Sequence, residues 1–365
     1  MQKVIGLITA NYSTKKPCEL AVSRPMASLP YGGRYRTVDF ALSNMVNCGI
    51  RTVGLVMPYN YRSLIDHIDS GKDWMLDRKN GGLFILPGTA FGTSRTGSRF
   101  LIRDLANNKV FIERSKADYI VCSGANMIFN MDFGEIIAEH EASGVDITVL
   151  THTATEPDED VVGFNMDEGG RVTGIHHGVA YGDTEFLDAF VIGREMLQTL
   201  LDWYSSVDYL DLFEALENDY GRVNVREYKF NGYVAPVFNT DSYFRHNMDL
   251  LSPEVDDQLF SSDRWIKTKA HDTPPAKYER GCYVRNAIVS AGSRIYGSVA
   301  DSILGRNVIV ESGATVRNAI VMQDCVIESG ARVENAIVDR RNIIPAGTEL
   351  RGTPESILIK GKEQG

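Results

Sequence analysis

The chain has 365 residues, 43% of them hydrophobic and 24% charged, with a net charge of −10. That length exceeds what a single hydrophobic core usually organises, so two domains are expected. The acidic balance argues against nucleic acid as the main partner, because phosphate backbones need clustered Lys and Arg, and no run of about 18 apolar residues predicts a membrane span. The cysteines (Cys18, Cys48, Cys122, Cys282, Cys325) are odd in number and scattered, with no Cys-x-x-Cys pair. Neither a zinc site nor a disulfide framework is indicated, and a reducing, cytoplasmic setting is expected.

Residues 1–251 alternate short apolar runs with helical patterns, as an α/β domain does. Val4–Ile8 reads as a first buried strand rather than part of a signal peptide. With Thr52–Met57, Tyr119–Cys122 and Asp146–Leu150 it forms a set of β-branched runs suited to strands covered on both faces. Amphipathic segments lie between and after them: Phe40–Cys48, Arg62–Ile68, Phe133–Ala142, Glu195–Tyr204 and Tyr209–Leu216. Asp39 and Asp132 are the expected N-caps of the first and third. Ligands of such open sheets bind beyond the carboxyl ends of the strands, which points to the loops after Ile8, Met57 and Cys122. Residues 252–280 lose the pattern; Ser252-Pro253-Glu254 and Asp272-Thr-Pro-Pro275 read as an irregular connector.

From residue 281 to 365 the texture changes. Ala287-Ile-Val289, Ser302-Ile-Leu304, Ala319-Ile-Val321 and Ala336-Ile-Val338 recur at steps of 15, 17 and 17 residues. Glycine-centred turns at Ser312-Gly-Ala314, Ser329-Gly-Ala331 and Pro345-Ala-Gly347 keep nearly the same step. Short β-branched runs punctuated by small turn residues, with no helical period, describe a β-solenoid whose coils bury one another. A step near eighteen, divisible into three faces of six, is similar to the left-handed β-helix of hexapeptide-repeat proteins.

Pro30-Tyr-Gly-Gly-Arg-Tyr-Arg-Thr-Val-Asp-Phe-Ala-Leu-Ser-Asn44, followed by Gly49-Ile50, resembles the signature of ADP-glucose pyrophosphorylases (glucose-1-phosphate adenylyltransferases). Gly71–Gly82, Phe111–Arg114, Met131–Phe133 and Asp241–Leu251 resemble further segments of that family, so the likeness spans nearly the whole chain. The resemblance implies a Rossmann-like nucleotidyltransferase domain, a mixed and mostly parallel sheet, followed by the left-handed parallel β-helix. It treats Trp74, Asp77 and Arg78 as framework.

The departures fall where the family's chemistry sits. Catalysing members carry a Gly-rich loop after the first strand, because backbone amides reach phosphate oxygens only where side chains do not intervene. Here Ile8–Pro17 contains no glycine, and its Lys15-Lys16 pair reads as an exposed loop. The family's two Mg²⁺-holding aspartates become Ala125 in Ser123-Gly-Ala-Asn126 and Pro236 in Ala235-Pro-Val-Phe-Asn239. Mg²⁺ takes oxygen ligands in near-octahedral geometry, and these side chains supply none. The sugar-contacting loop is replaced by Phe100–Asp104, and the sugar-phosphate-binding Glu-Lys-Pro falls near Ile175–Val179.

Loss of the site beside a retained framework resembles the GlgD-type regulatory subunit, which accompanies a catalytic GlgC-type subunit in bacterial glycogen synthesis. What the resemblance implies is a catalytically deficient chain, without a cofactor or metal of its own, in a heterotetramer whose partner uses Mg²⁺. Arg24, Arg34, Arg36 and Lys360, with Lys362 behind it, are the expected contacts for a phosphorylated effector. Two other readings stand beside it. An active nucleotidyltransferase would relocate its metal ligands to Asn126, Asp132 or Asp241. A hexapeptide acyltransferase would need a solenoid histidine as base, yet His271 precedes the solenoid. His176 and His177, adjacent on a strand, face opposite ways and are not expected to share an ion.

Overall fold

The computed structural model describes residues 3–12, 18–89, 99–260 and 263–362; the Lys15-Lys16 pair lies outside them. The first unit is built on a nine-stranded sheet: β1 (Val4–Thr9), β2 (Thr52–Met57), β3 (Gly82–Pro87), β4 (Tyr119–Gly124), β5 (Ile147–Thr153), β6 (Asp158–Met166), β7 (Val172–Val179), β8 (Thr184–Gly193) and β9 (Val225–Lys229). Strands run in the order β7-β6-β8-β4-β1-β2-β3, with β5 and then β9 branching from β8. The centre, β4-β1-β2-β3, is parallel, while β8 pairs antiparallel with β4. Its residues Ile5, Leu7 and Ile8, with Val53, Leu55, Val121 and Cys122, are buried. The apolar runs therefore lie where both sheet faces are covered. Of the hairpin β6–β7, only the strand bearing His176 and His177 is legible from sequence, because both strands mix Gly, His and acidic residues among their apolar ones.

Nine α-helices are described in this part of the chain: α1 (Thr37–Asn47), α2 (Arg62–Ile68), α3 (Ile102–Asn107), α4 (Lys109–Ser115), α5 (Phe133–Ser143), α6 (Arg194–Trp203), α7 (Leu212–Ala215), α8 (Thr240–Met248) and α9 (Pro253–Leu259). Asp132 caps α5, its Oδ1 accepting from Gly134 N at 2.8 Å. Asp39 does not cap α1, contrary to expectation. The cap position is Arg36, and Asp39 sits inside the first turn, where its Oδ2 accepts the Arg36 N–H at 3.0 Å. A carboxylate three positions into a helix serves the same orphan donor from the other side. The Tyr209–Leu216 segment narrows to α7, because Asp211 accepts from Phe213 N and starts the helix late. The connector is less irregular than its composition suggests. Ser252-Pro253 followed by acidic residues starts α9, whose Leu259 is fully buried.

The solenoid is a left-handed parallel β-helix. Its long strands Tyr283–Val289, Ser298–Leu304, Thr315–Val321 and Arg332–Val338 stack in parallel register. A second ladder of two-residue strands, beginning at Lys277–Tyr278, runs alongside. Each long strand bends at a left-handed residue: Asn286, Asp301, Asn318 and Asn335, with φ of 45°, 48°, 44° and 48°. Asn and Asp tolerate that region, which explains why polar residues recur inside otherwise β-branched strands. The corners also bond to one another, Asn318 Nδ2 donating to Asn335 Oδ1 at 2.6 Å.

The two units share a core. Tyr31, Phe40, Ile128 and Tyr243 of the first pack with Ile320, Met322 and Ile337 of the solenoid. The Pro30–Arg36 hairpin is pressed between them, so a side-chain carbon on Gly33 (φ +70°) would lie 2.8 Å from the Leu304 carbonyl oxygen. Beside it, Arg24 crosses the junction; its Nη2 donates to both Asp339 oxygens at 3.0 Å and its Nε donates to Leu20 O at 2.9 Å. Both partners are buried. Removing one member of such a pair strands a charge in a poorly solvated place. Arg24→Ala should therefore lower stability by about 3–5 kcal/mol, read as a fall in the urea midpoint, whereas Arg24→Met with Asp339→Leu should recover most of the loss.

Candidate functional site

The loops singled out by the sheet topology converge. β4 runs out through Gly124 into Ala125, whose N–H donates to Thr9 O at the end of β1. Met127–Ile128 then pairs antiparallel with Ala235–Pro236, and Val237 N donates to Asn126 O at 3.0 Å. Ala125 and Pro236 are thus brought together at the carboxyl end of the central strands, and both are buried. Neither offers an oxygen from its side chain.

The remaining donors do not replace them. Asn126 is buried with neither amide atom bonded among the described residues, Asp132 is committed to its helix cap, and Asp241 is exposed on α8. Among the described residues no group of three or more His, Cys, Asp or Glu side chains could hold a metal ion. The residues present do not fit Mg²⁺.

Three residues that the sequence reading did not single out fill this cleft. Asp188 lies on β8 in left-handed conformation (φ 48°), at a register shift between β8 and β5 beside Gly124. Arg99 Nε donates to Asp188 Oδ2 at 3.1 Å, its Nη2 donates to the Asp160 carbonyl, and its guanidinium lies 4.6 Å over the Phe238 ring. Tyr12 packs against Phe238 with its hydroxyl next to Gly124. Burial pushes the Asp188 carboxyl up to about 6, against the opposing pull of Arg99. Burial also works against the Arg99 charge, but Asp188, Tyr12 and Asp211 outweigh it and raise its pKa. The signal was present: Asp188 is the one charge within Phe186–Ile192, an otherwise apolar stretch.

The Phe100–Asp104 segment works as a brace. Asp104 Oδ2 accepts Asn11 Nδ2 at 2.6 Å, and its Oδ1 accepts Thr89 N at 2.7 Å. The two histidines separate as expected of a strand: His176 Nδ1 bonds the Gly178 carbonyl, and His177 Nε2 lies 3.4 Å from Glu214. Trp74 is wholly buried against His67, while Asp77 and Arg78 are exposed.

A second feature lies at the seam between the units. Arg34, Arg306, Lys269 and His271 line a cleft of about 640 Å³. Arg36 stands behind it with Nη1 donating to Ser63 O at 2.6 Å. Burial lowers the Arg36 pKa to about 10, helped by Arg340, Arg24 and Arg306 and opposed by Asp39. Burial lowers Arg306 and Arg340 as well; Asp324 and Asp39 oppose it at Arg306 more than Arg34 adds to it, while Arg24 adds to it at Arg340 against Asp339. The Arg340 Nε is buried without a partner among the described residues. Cations crowded in this way favour an anion between them. Of the residues named from sequence, Arg34 and Arg36 belong to this seam, while the Arg24 guanidinium is engaged by Asp339. Lys360 lies in the last coil, its carbonyl accepting Asp339 N at 2.9 Å. Arg306 and Arg340 were missed because nothing in solenoid spacing marks which rung faces the other unit.

A nucleotidyltransferase-type domain carrying a hexapeptide solenoid is the class that these features define. Residues 16–176 match the nucleotidyl transferase family and residues 274–355 match the GlmU-like C-terminal hexapeptide family. The glycogen biosynthesis protein GlgD of Bacillus subtilis is 30% identical over 100% of this chain and 97% of its own length. That of Geobacillus stearothermophilus is 32% identical over 86% of this chain and 83% of its own. The glucose-1-phosphate adenylyltransferase of Fervidobacterium nodosum is 28% identical over 88% and 79%. The chain belongs to the GlgD branch of the glucose-1-phosphate adenylyltransferase family. No helix among the described residues is long and apolar enough to cross a membrane.

The Asp188 carboxyl gives a pH prediction. Because burial raises its folded-state pKa from the ordinary 3.8 to about 6, the native chain holds this proton more tightly than the unfolded chain does. The stability it contributes is complete below about pH 4 and is lost as pH rises through about 6. In the Asp188→Asn variant, the denaturation midpoint followed between pH 4 and pH 7 should lose this part of the decline.

Proposed function

We propose that this chain is a catalytically deficient regulatory subunit of bacterial glycogen biosynthesis. A catalytic relative, in a hetero-oligomer with it, converts ATP and glucose 1-phosphate to ADP-glucose and diphosphate with Mg²⁺. The observation that carries this reading is that Pro236, paired with Met127, and Ala125, two residues before it, are both buried at the head of the central strands, and neither side chain supplies an oxygen for a cation. A chain that keeps the framework and lacks the chemistry acts through association. Its partner responds only if the contacts between them differ between the active and inactive states of that partner. The solenoid supplies a rigid, repetitive surface for such contacts. The arginine seam suits a phosphorylated small molecule, and its place between the units lets an anion influence how they are held.

The test is reconstitution. The purified chain should form no ADP-glucose from ATP, glucose 1-phosphate and Mg²⁺. Mixed with the catalytic subunit, it should co-elute and change that subunit's activity or effector midpoint about 5- to 150-fold, the span of ordinary coupling energies. Turnover by the chain alone at enzymatic rates, or failure to associate, sinks the reading. For the seam, inorganic phosphate should raise the melting temperature of the chain. Arg306→Gln with Arg340→Gln should weaken that response at least tenfold in phosphate concentration, as followed by thermal shift.

A further inference from the structure

The cleft does more than lack carboxylates: Tyr12 and Arg99 occupy the space over the end of β4, beside a cavity of about 380 Å³ that Tyr12 lines with Ala10 and Asn11. Arg99 is held from both its backbone and its side chain. Asp211 Oδ2 accepts Arg99 N at 2.9 Å and Phe100 N at 2.7 Å, which sets the chain direction just before α3. The guanidinium then reaches Asp188, the Asp160 carbonyl and the Phe238 face, joining β8, the start of β6 and the segment after Pro236. Asp160 in turn accepts Asn239 Nδ2 at 2.9 Å through its Oδ2. Tyr12 closes the other side. A side-chain carbon on Gly124 would collide with its hydroxyl, so the ring occupies the space directly over the end of β4. Tyr12 Oη and Asp188 Oδ1 are both buried there.

We propose that Arg99 is a built-in cation which, with the Tyr12 ring, permanently closes this cleft, so that restoring the two missing carboxylates would not by itself admit a divalent cation or a nucleoside triphosphate. The inference rests on the regulatory reading above and extends it: the chain is locked by added side chains as well as disarmed by lost ones. A positive group already neutralises Asp188, a buried carboxylate beside Gly124, and a metal ion entering beside it would meet like charge. A triphosphate would also have to displace a ring packed against Phe238.

Two variants distinguish closure from mere loss of ligands: Ala125→Asp with Pro236→Asp, and the same pair with Tyr12→Gly and Arg99→Ser. The probes are Mn²⁺ alone and ATP with Mg²⁺, titrated by calorimetry. The wild-type chain and the two-site variant should bind neither at millimolar concentration, and the four-site variant should bind at least tenfold more tightly. Binding to the two-site variant as tight as to the four-site one overturns closure, as does a folded four-site variant no better than wild type. If circular dichroism shows the four-site variant unfolded, the decision passes to Arg99→Met, Asp188→Leu and their combination. The combined variant should have a higher urea midpoint than either single one, because neither charge is then left alone. Strictly additive losses overturn the proposal. Failure of the chain to associate with a catalytic subunit sinks only the regulatory reading, whereas Mn²⁺ binding by the two-site variant sinks only the closure.

Discussion

The Pro30–Arg36 hairpin is the contact on which the molecule turns. Its backbone runs so close to the solenoid that Gly33 has no room for a side chain against Leu304, and its Tyr31 is buried in the core that both units share. From that seat it orders three neighbours. Asn247 on α8 accepts the Gly32 N–H through Oδ1, Tyr243 donates to the Pro30 carbonyl, and Arg36 begins α1. Arg24 and Asp339 hold the adjoining segment to the last coils. A hinge between the two units would have to break apolar packing and a buried ion pair together, so they behave as one body.

That rigidity explains how one framework carries two different sites. At the carboxyl ends of the central strands, Met127–Ile128 pairs with Ala235–Pro236, and Tyr12, Arg99 and Phe238 pack against one another beside them. At the seam, arginines from both units lie near one another, and a cleft remains open beside them. One site has been satisfied internally. The other keeps an open cleft lined by basic side chains.

The two sites are also close in chain terms. Asp339, which receives Arg24, is followed immediately by Arg340, and Arg24 itself adds to the positive field at Arg36. The segment bearing Arg24 also lines a cleft with Ala10, Asn11 and Tyr12 at the end of β1.

Much of this was legible from residues alone, for a physical reason in each case. Central strands read as unbroken β-branched runs because both sheet faces are covered, and the solenoid shows its period because every coil repeats the same burial. Ala125 and Pro236 could be singled out because a side chain without an oxygen needs no geometry to be noticed. What only the tertiary structure decided is which side chains meet. Asp39 turned out to face backwards onto Arg36, Arg24 found Asp339 far along the chain, and Arg99 found Asp188 across the sheet. Pairings of this kind depend on distances between segments that share no local pattern, and burial sets their strength, so they exist only once the chain has closed on itself.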